Sequence, residues 1–364
     1  MSGQALGQDR RVKGMNKTAA GSLILAFAVI FSGCGAGSPQ NTEKDDDSVI
    51  TIGFSQVGEE SDWRRANSES IEETFSAKNG YHLLFDDAQN RPENQITALR
   101  NFIQQEVDYI VLEPIVEQGW ETVLTEAKEA GIPVIVADRS ISVEDESLFT
   151  SWVGSDMLLE GRKTSEWLHS FIEAKGIDDS EVRLVNIQGT LGSTPQIGRA
   201  QGMREAARKY GWTLLGSARG EFTTAKGREA MESLLERFDD INVVFCDNDN
   251  EAYGAIDAIE KAGRKAGTDI ANGEILIISY DAASRGLRLV LDGKIACDGD
   301  CNPLHGPRIR DIIESLESGK EVDKYWYVEE ELYAGDDTVR SVTIDDTEYP
   351  VTVVTEELIA GRKY

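Results

Sequence analysis

Short apolar, β-branched runs alternate along the chain with stretches whose apolar residues recur every third or fourth position. That alternation leaves few folds open. Val49–Phe54, Tyr81–Phe85, Tyr109–Leu112 and Val134–Ala137 read as strands, and Trp63–Asn79, Pro92–Gln105 and Trp120–Ala130 between them read as helices. Parallel strands need a long crossover, and right-handed helical crossovers lay helices on both faces of the sheet. The rhythm then restarts. Leu158–Glu173, Ile197–Tyr210, Ala225–Arg237 and Glu251–Ala262 read as helices between strands at Arg183–Ile187, Thr213–Ala218, Val243–Phe245 and Ile275–Ile278. The expected fold is α/β, with two doubly wound parallel-sheet lobes facing each other across a cleft.

In such sheets ligands bind beyond the carboxyl ends of the strands. The residues at those ends are Ser55–Gln56, Asp86–Asp87, Glu113–Pro114, Asp138–Arg139, Gln188–Thr190, Asp247–Asp249 and Asp281. Polar residues there often cap the next helix, and Asp86 and Asp87 suit that role. Asp138–Arg139, which ends the apolar run PVIVA, does not, because arginine cannot cap a helix N-terminus. Paired acids and arginines that fork hydrogen bonds are what a polyol requires, and an aromatic such as Trp63 covers the C–H face of a ring.

The formal net charge of −28 excludes nucleic acid as a partner, since phosphate would be repelled. No GxSxG, P-loop, GxGxxG or HExxH pattern occurs, and His82, His169 and His305 are scattered. Carboxylates beside arginines are held ionised, which suits hydrogen bonding rather than proton donation. No catalytic residue, metal or cofactor is therefore expected. Cys297 and Cys301 are close enough in sequence to pair; the alternative is that they stay buried free thiols, with Cys246.

The N-terminus reads as an export signal: Arg10, Arg11, Lys13 and Lys17 precede the apolar Thr18–Phe31 and then FSGCG. Small residues before Cys34 resemble a bacterial lipoprotein processing site, which implies lipidation of Cys34 as a membrane anchor. An ordinary cleaved signal peptide, with release of the chain, is the alternative. Residues 1–33 are thus expected to be removed, and 34–48, polar and Asp-rich, to form a flexible tether.

Several stretches together resemble the periplasmic sugar-binding proteins of ABC importers, in the ribose-binding group and nearest its galactofuranose-binding branch. They are TIGFSQVGEESDWR (51–64), ENQI (93–96), PIVEQGW (114–120), DRSI (138–141), LEG (159–161), QGTLG (188–192), Asn248-Asp249 and Gly306-Pro307. The resemblance covers roughly residues 49–335 and resumes at the C-terminus. It implies a type I periplasmic binding protein fold with a three-strand hinge. One lobe would comprise 49–153 plus 303–330, and the other 154–302 plus 331–364. It also implies a monosaccharide ligand held by Gln56, Glu59, Trp63, Arg64, Asp138 and Arg139 from the first lobe. Thr190, Arg199, Asn248 and Asp281 would reach from the second, with Asp249 and Asn302 as weaker candidates. The implied partners are ABC permease subunits, met by a monomer; a sugar receptor feeding a chemoreceptor or histidine kinase is the alternative. Two departures stand out. Cysteines occupy the Ile295–Pro307 segment, where ribose binders have a glutamine near position 301, and about 337–351 reads as an inserted hairpin.

Overall fold

Ile50–Gln56 (β1) is buried on both faces from Ile52 onward, as a central parallel strand must be. The computed structural model describes residues 49–364, so the signal, Cys34 and the tether lie outside the described residues. From β1 the chain continues through α1 (Asp62–Thr74), β2 (Tyr81–Asp87), α2 (Pro92–Gln104), β3 (Tyr109–Leu112), α3 (Glu121–Glu129), β4 (Val134–Ala137) and β5 (Ser151–Gly154). Next come α4 (Met157–Ala174), β6 (Arg183–Gln188), α5 (Thr194–Tyr210), β7 (Thr213–Arg219), α6 (Thr224–Arg237), β8 (Val243–Cys246) and α7 (Asp249–Lys261). They are followed by β9 (Leu276–Asp281), α8 (Ser284–Leu291), β10 (Cys297–Asp300), α9 (His305–Glu317) and β11 (Tyr325–Tyr327). The chain closes with β12 (Leu332–Ala334), β13 (Ser341–Ile344), β14 (Thr347–Val353) and α10 (Glu356–Gly361).

The first sheet has the order β11-β5-β4-β3-β1-β2, and all its pairings are parallel. Ile52, Phe54, Val111 and Ile135 face α1 and α9, while Ile110, Leu112, Val134 and Val136 face α2 and α3. The second sheet has the order β13-β14-β12-β10-β9-β8-β6-β7, parallel from β7 to β10. The expected α/β architecture is therefore present, with one refinement: β12 runs antiparallel to β10, and β13 antiparallel to β14. The β13–β14 pair is a hairpin turning on Asp345 and Asp346, both left-handed (φ 48° and 64°), the mark of a type I′ turn. Strand order reverses beside β1 in one sheet and beside β6 in the other, which opens a crevice at each set of strand tips.

The chain passes between sheets three times: after β5 near Ser155, after β10 near Cys301–Asn302, and between β11 and β12 near Glu329–Glu331. Cys246, Cys297 and Cys301 are buried free thiols. Cys297 opens β10 and Cys301 follows its end, so four residues of extended chain hold them about 13 Å apart, too far for a disulfide. Among the described residues, no helix is long and apolar enough to cross a membrane.

Helices α4 and α5 pack at unusually close range. A Cβ on Gly202 would lie 2.5 Å from the carbonyl carbon of Gly161, and one on Gly161 would lie 2.9 Å from Arg199 Cα. Only hydrogen fits there, and this approach brings Glu160 of α4 against Arg199 of α5.

Candidate functional site

On the first sheet's side, Ser61 caps α1 by accepting from the backbone N–H of Arg64 at 3.1 Å. The cap turns the first helical turn inward, so Trp63 and Arg64 are almost fully buried. Arg64 then meets three carboxylates: Glu113 Oε2 at 2.5 Å, Asp138 Oδ2 at 2.8 Å and Glu60 Oε1 at 3.3 Å. Asp138, just past β4, is left-handed (φ 59°), which aims its carboxylate back at Arg64. Its principal partner is thus Arg64 and not the adjacent Arg139, whose Nε lies 3.8 Å away. Arg139 instead donates to the Ile115 carbonyl at 3.2 Å and to Glu60 at 3.4 Å.

On the second sheet's side, Arg199 donates to Glu160 Oε2 at 2.7 Å and to the Asp247 carbonyl at 2.5 Å, and lies 3.9 Å from Asp281. Its guanidinium stacks 4.6 Å above the Tyr280 ring. Phe222 reaches out from the loop after β7, 5.2 Å from the Arg139 guanidinium. Two consecutive non-glycine residues there, Glu221 and Phe222, are left-handed (φ 51° and 61°). Such backbone persists only where its surroundings over-determine it. Here Glu251 accepts the Phe222 N–H at 2.8 Å, Asn248 donates to the Phe222 carbonyl, and Gly189 lacks the Cβ that would lie 2.0 Å from the ring.

Arg64, Asp138, Arg139, Arg199 and Phe222 line one cavity between the sheets, which also takes in Glu60, Ser61, Met157, Pro195 and Cys301. Hydrogen bonds close over it from both sides: Asp62 N–H to Asn250 at 3.1 Å, Ser140 N–H to Thr194 at 2.9 Å, and Trp63 Nε1–H to the Cys301 carbonyl at 2.6 Å. Glu60 Oε2 and Arg139 Nε are buried with no partner. They are an acceptor and a donor left for a guest with hydroxyls.

Of the residues expected from sequence, Trp63, Arg64, Asp138, Arg139, Arg199, Asn248 and Asp281 line the cavity. The others do different work. Gln56 is buried and donates to Asn67 at 2.8 Å and Ser68 at 3.0 Å, which ties α1 to β1. Glu59 is exposed; its neighbour Glu60 holds the inward place. Thr190 shapes the turn before α5 through its carbonyl, which accepts from Ser193. Asp249 lies beneath the cavity, accepting from Ser279 Oγ at 2.7 Å and the Ala283 N–H at 3.0 Å. Asn302 caps Leu304 at 3.0 Å in the second crossing. Phe222 was not expected, although its place after β7 was a strand tip open to inspection.

Burial alone would raise the Asp138 acid, but Arg64 and Arg139 outweigh it and hold the group below the usual carboxylate range. Beneath Arg199 the balance is the reverse. Burial pushes Asp247 and Asp249 up to about 6, and also raises Asp281, Asp298 and Glu251. An acid raised in the folded state binds its proton more tightly folded than unfolded. Its contribution is full below the ordinary carboxyl range and is lost as pH rises through about 6. Thermal melts should therefore show a higher Tm at pH 5 than at pH 8; an equal or higher Tm at pH 8 would contradict this balance.

Residues 52–303 match the periplasmic binding protein domain family. The galactofuranose-binding protein YtfQ of Escherichia coli (strain K12) is 36% identical over 292 residues, 79% of this chain and 88% of that one. A crystal structure from Mycobacterium smegmatis in complex with β-D-fucofuranose is 38% identical, with a TM-score of 0.74 over 79% of this chain and 92% of that one. The binding protein of the arabinose ABC transporter from Shewanella sp. ANA-3, bound to α- and β-L-arabinofuranose, is 38% identical. Its TM-score is 0.71, over 78% and 91% of the two chains. With this cleft between two α/β sheets and a match across most of its length, the chain belongs to the periplasmic binding protein family and is a binding protein, not an enzyme.

Proposed function

We propose that this protein is the solute-binding component of an ABC sugar importer and that its guest is a monosaccharide in the furanose form. The observation that carries the reading is the cavity itself. Arginines and carboxylates converge on it from both sheets, with Trp63 and Phe222 as aromatic walls. Relatives whose guests are galactofuranose, fucofuranose and arabinofuranose support the ring form. In this reading residues 49–153 with 303–330 form one lobe and 154–302 with 331–364 the other. Trp63, Arg64, Asp138 and Arg139 hold the sugar from the first lobe, and Arg199, Asn248 and Asp281 from the second.

A sugar touching both lobes gains its full set of hydrogen bonds only when they are closed, so binding shifts the population toward closure. Closure excludes water, which strengthens each charged contact. The closed form is what a permease would read. Export, and lipidation at Cys34, would keep the protein near that permease.

Differential scanning fluorimetry against methyl furanosides and pyranosides of galactose and arabinose tests the ring form, because a tight ligand raises Tm by mass action. Stabilisation by the furanosides alone is expected; stabilisation by pyranosides alone would overturn the furanose assignment, and by none of these or their free sugars the sugar site. Arg139→Ala should weaken binding of the best ligand by about 2–3 kcal/mol, because Glu60 is then left with a poorer set of partners. Titration calorimetry showing wild-type affinity in that variant would remove Arg139 from the site.

A further inference from the structure

The three crossings between the sheets meet behind the sugar cavity, at a cluster that sugar binding does not explain. Ser155 comes from the first crossing, Cys301 and Asn302 from the second and Glu330 from the third, while Glu160 faces them from α4. One carboxylate oxygen each from Glu160 and Glu330, together with Cys301 Sγ, lie within 4.8 Å of one another. Two carboxyl groups and a sulfur have been gathered in one place. Of the nearby cations, Arg199 holds Glu160 through Oε2, and Lys163 donates to the backbone carbonyl of Glu330 at 2.9 Å and not to its carboxyl. Glu160 Oε1, on a side chain 2% exposed, is buried without a hydrogen-bond partner. A buried carboxylate oxygen left bare is costly unless something occupies it.

We propose that Glu160, Cys301 and Glu330 form a binding site for a divalent cation of borderline softness, of the Zn²⁺ class. The donor set decides the class. Ca²⁺ needs six or more oxygens and Mg²⁺ a near-octahedral shell, whereas one thiolate and two carboxylates suit tetrahedral Zn²⁺, with Ser155 Oγ or water as the fourth ligand. Tetrahedral ligand atoms sit about 3.5 Å apart, so the cluster need contract by only about 1 Å. Ser155 Oγ is already 3.5 Å from Cys301 Sγ and 2.6 Å from Glu330 Oε1. A cavity of about 630 Å³, lined by Glu160, Lys163, Glu329, Glu330 and Tyr349, leads to the cluster.

Binding takes the Cys301 sulfur as a thiolate, so the thiol proton leaves to solvent. Because the Cys301 carbonyl accepts from Trp63 and Glu160 holds Arg199, the cation and the sugar share residues, and each should alter the affinity of the other by the same factor.

The test uses Cd²⁺ alone, titrated into the full chain carrying Cys34→Ser, with the sulfur-to-cadmium charge-transfer band as the readout. One equivalent should generate the band. Cys297→Ser should retain it and Cys301→Ser abolish it, and Glu330→Gln, nearly isosteric, should weaken Cd²⁺ binding at least tenfold. Absence of the band in the folded Cys34→Ser protein, or its persistence in Cys301→Ser, would overturn the proposal, as would unchanged Cd²⁺ affinity in Glu330→Gln.

Discussion

Arg64→Ala should destabilise the fold by about 3–5 kcal/mol and abolish sugar binding, because removing one partner of a buried ion pair leaves uncompensated charge. Arg64 is the partner of Glu113, Asp138 and Glu60 together, and among the described residues Arg139 and the His305 imidazole, 3.8 Å from Glu113, would remain beside them. With Arg64 gone, the carboxylates must take up protons or water, and Asp138 loses the charge that holds its acid low. Arg64→Lys should recover little, since a single ammonium cannot span three carboxylates through the fork a guanidinium provides. Urea denaturation read by intrinsic fluorescence, together with calorimetry on the best ligand, would decide. Near-wild-type stability in Arg64→Ala would mean the cluster is solvated and not the buried anchor described above.

Arg199→Leu is expected to have a comparable effect from the other side of the cleft. It strips Glu160 of its 2.7 Å partner and removes the nearest cation from Asp281. A loss of about 3–5 kcal/mol in stability, with undetectable sugar binding, follows from the same argument. The second variant separates two roles. Adding Glu160→Gln to Arg199→Leu removes the stranded charge, so much of the stability should return, while binding should not. If the double variant is no more stable than Arg199→Leu, the pair is not coupled. If it binds sugar normally, Arg199 is not a sugar contact.

The site was legible where it depends on local rules. Residues immediately after a buried parallel strand emerge at the crevice whatever their identity, so Asp138, Arg139, Asn248 and Asp281 could be picked out from where apolar runs stop. What those residues bond to was another matter. Adjacency in sequence pairs Asp138 with Arg139, but successive side chains leave the backbone in different directions, and a left-handed Asp138 turns to Arg64, 74 residues earlier. One residue decides between Glu59 and Glu60, because the capped start of α1 fixes which of the two faces inward. Phe222 depends on strained backbone and on room left by Gly189 in a different loop, and no pattern near Phe222 announces either.

The sequence alone determined the alternation of strands and helices through β1–β4 and β6–β9, their parallel pairing and the end of each sheet from which a ligand is met. These follow from hydrophobic period and from the handedness of short connections, which act over a few residues at a time. Tertiary structure alone decided the partners: three carboxylates on Arg64, an aromatic from one half over a guanidinium of the other, and a thiol with two acids where three distant crossings meet. Charge and hydrogen bonding act over a few ångströms of space, and residues hundreds of positions apart become neighbours only when the sheets have brought them together.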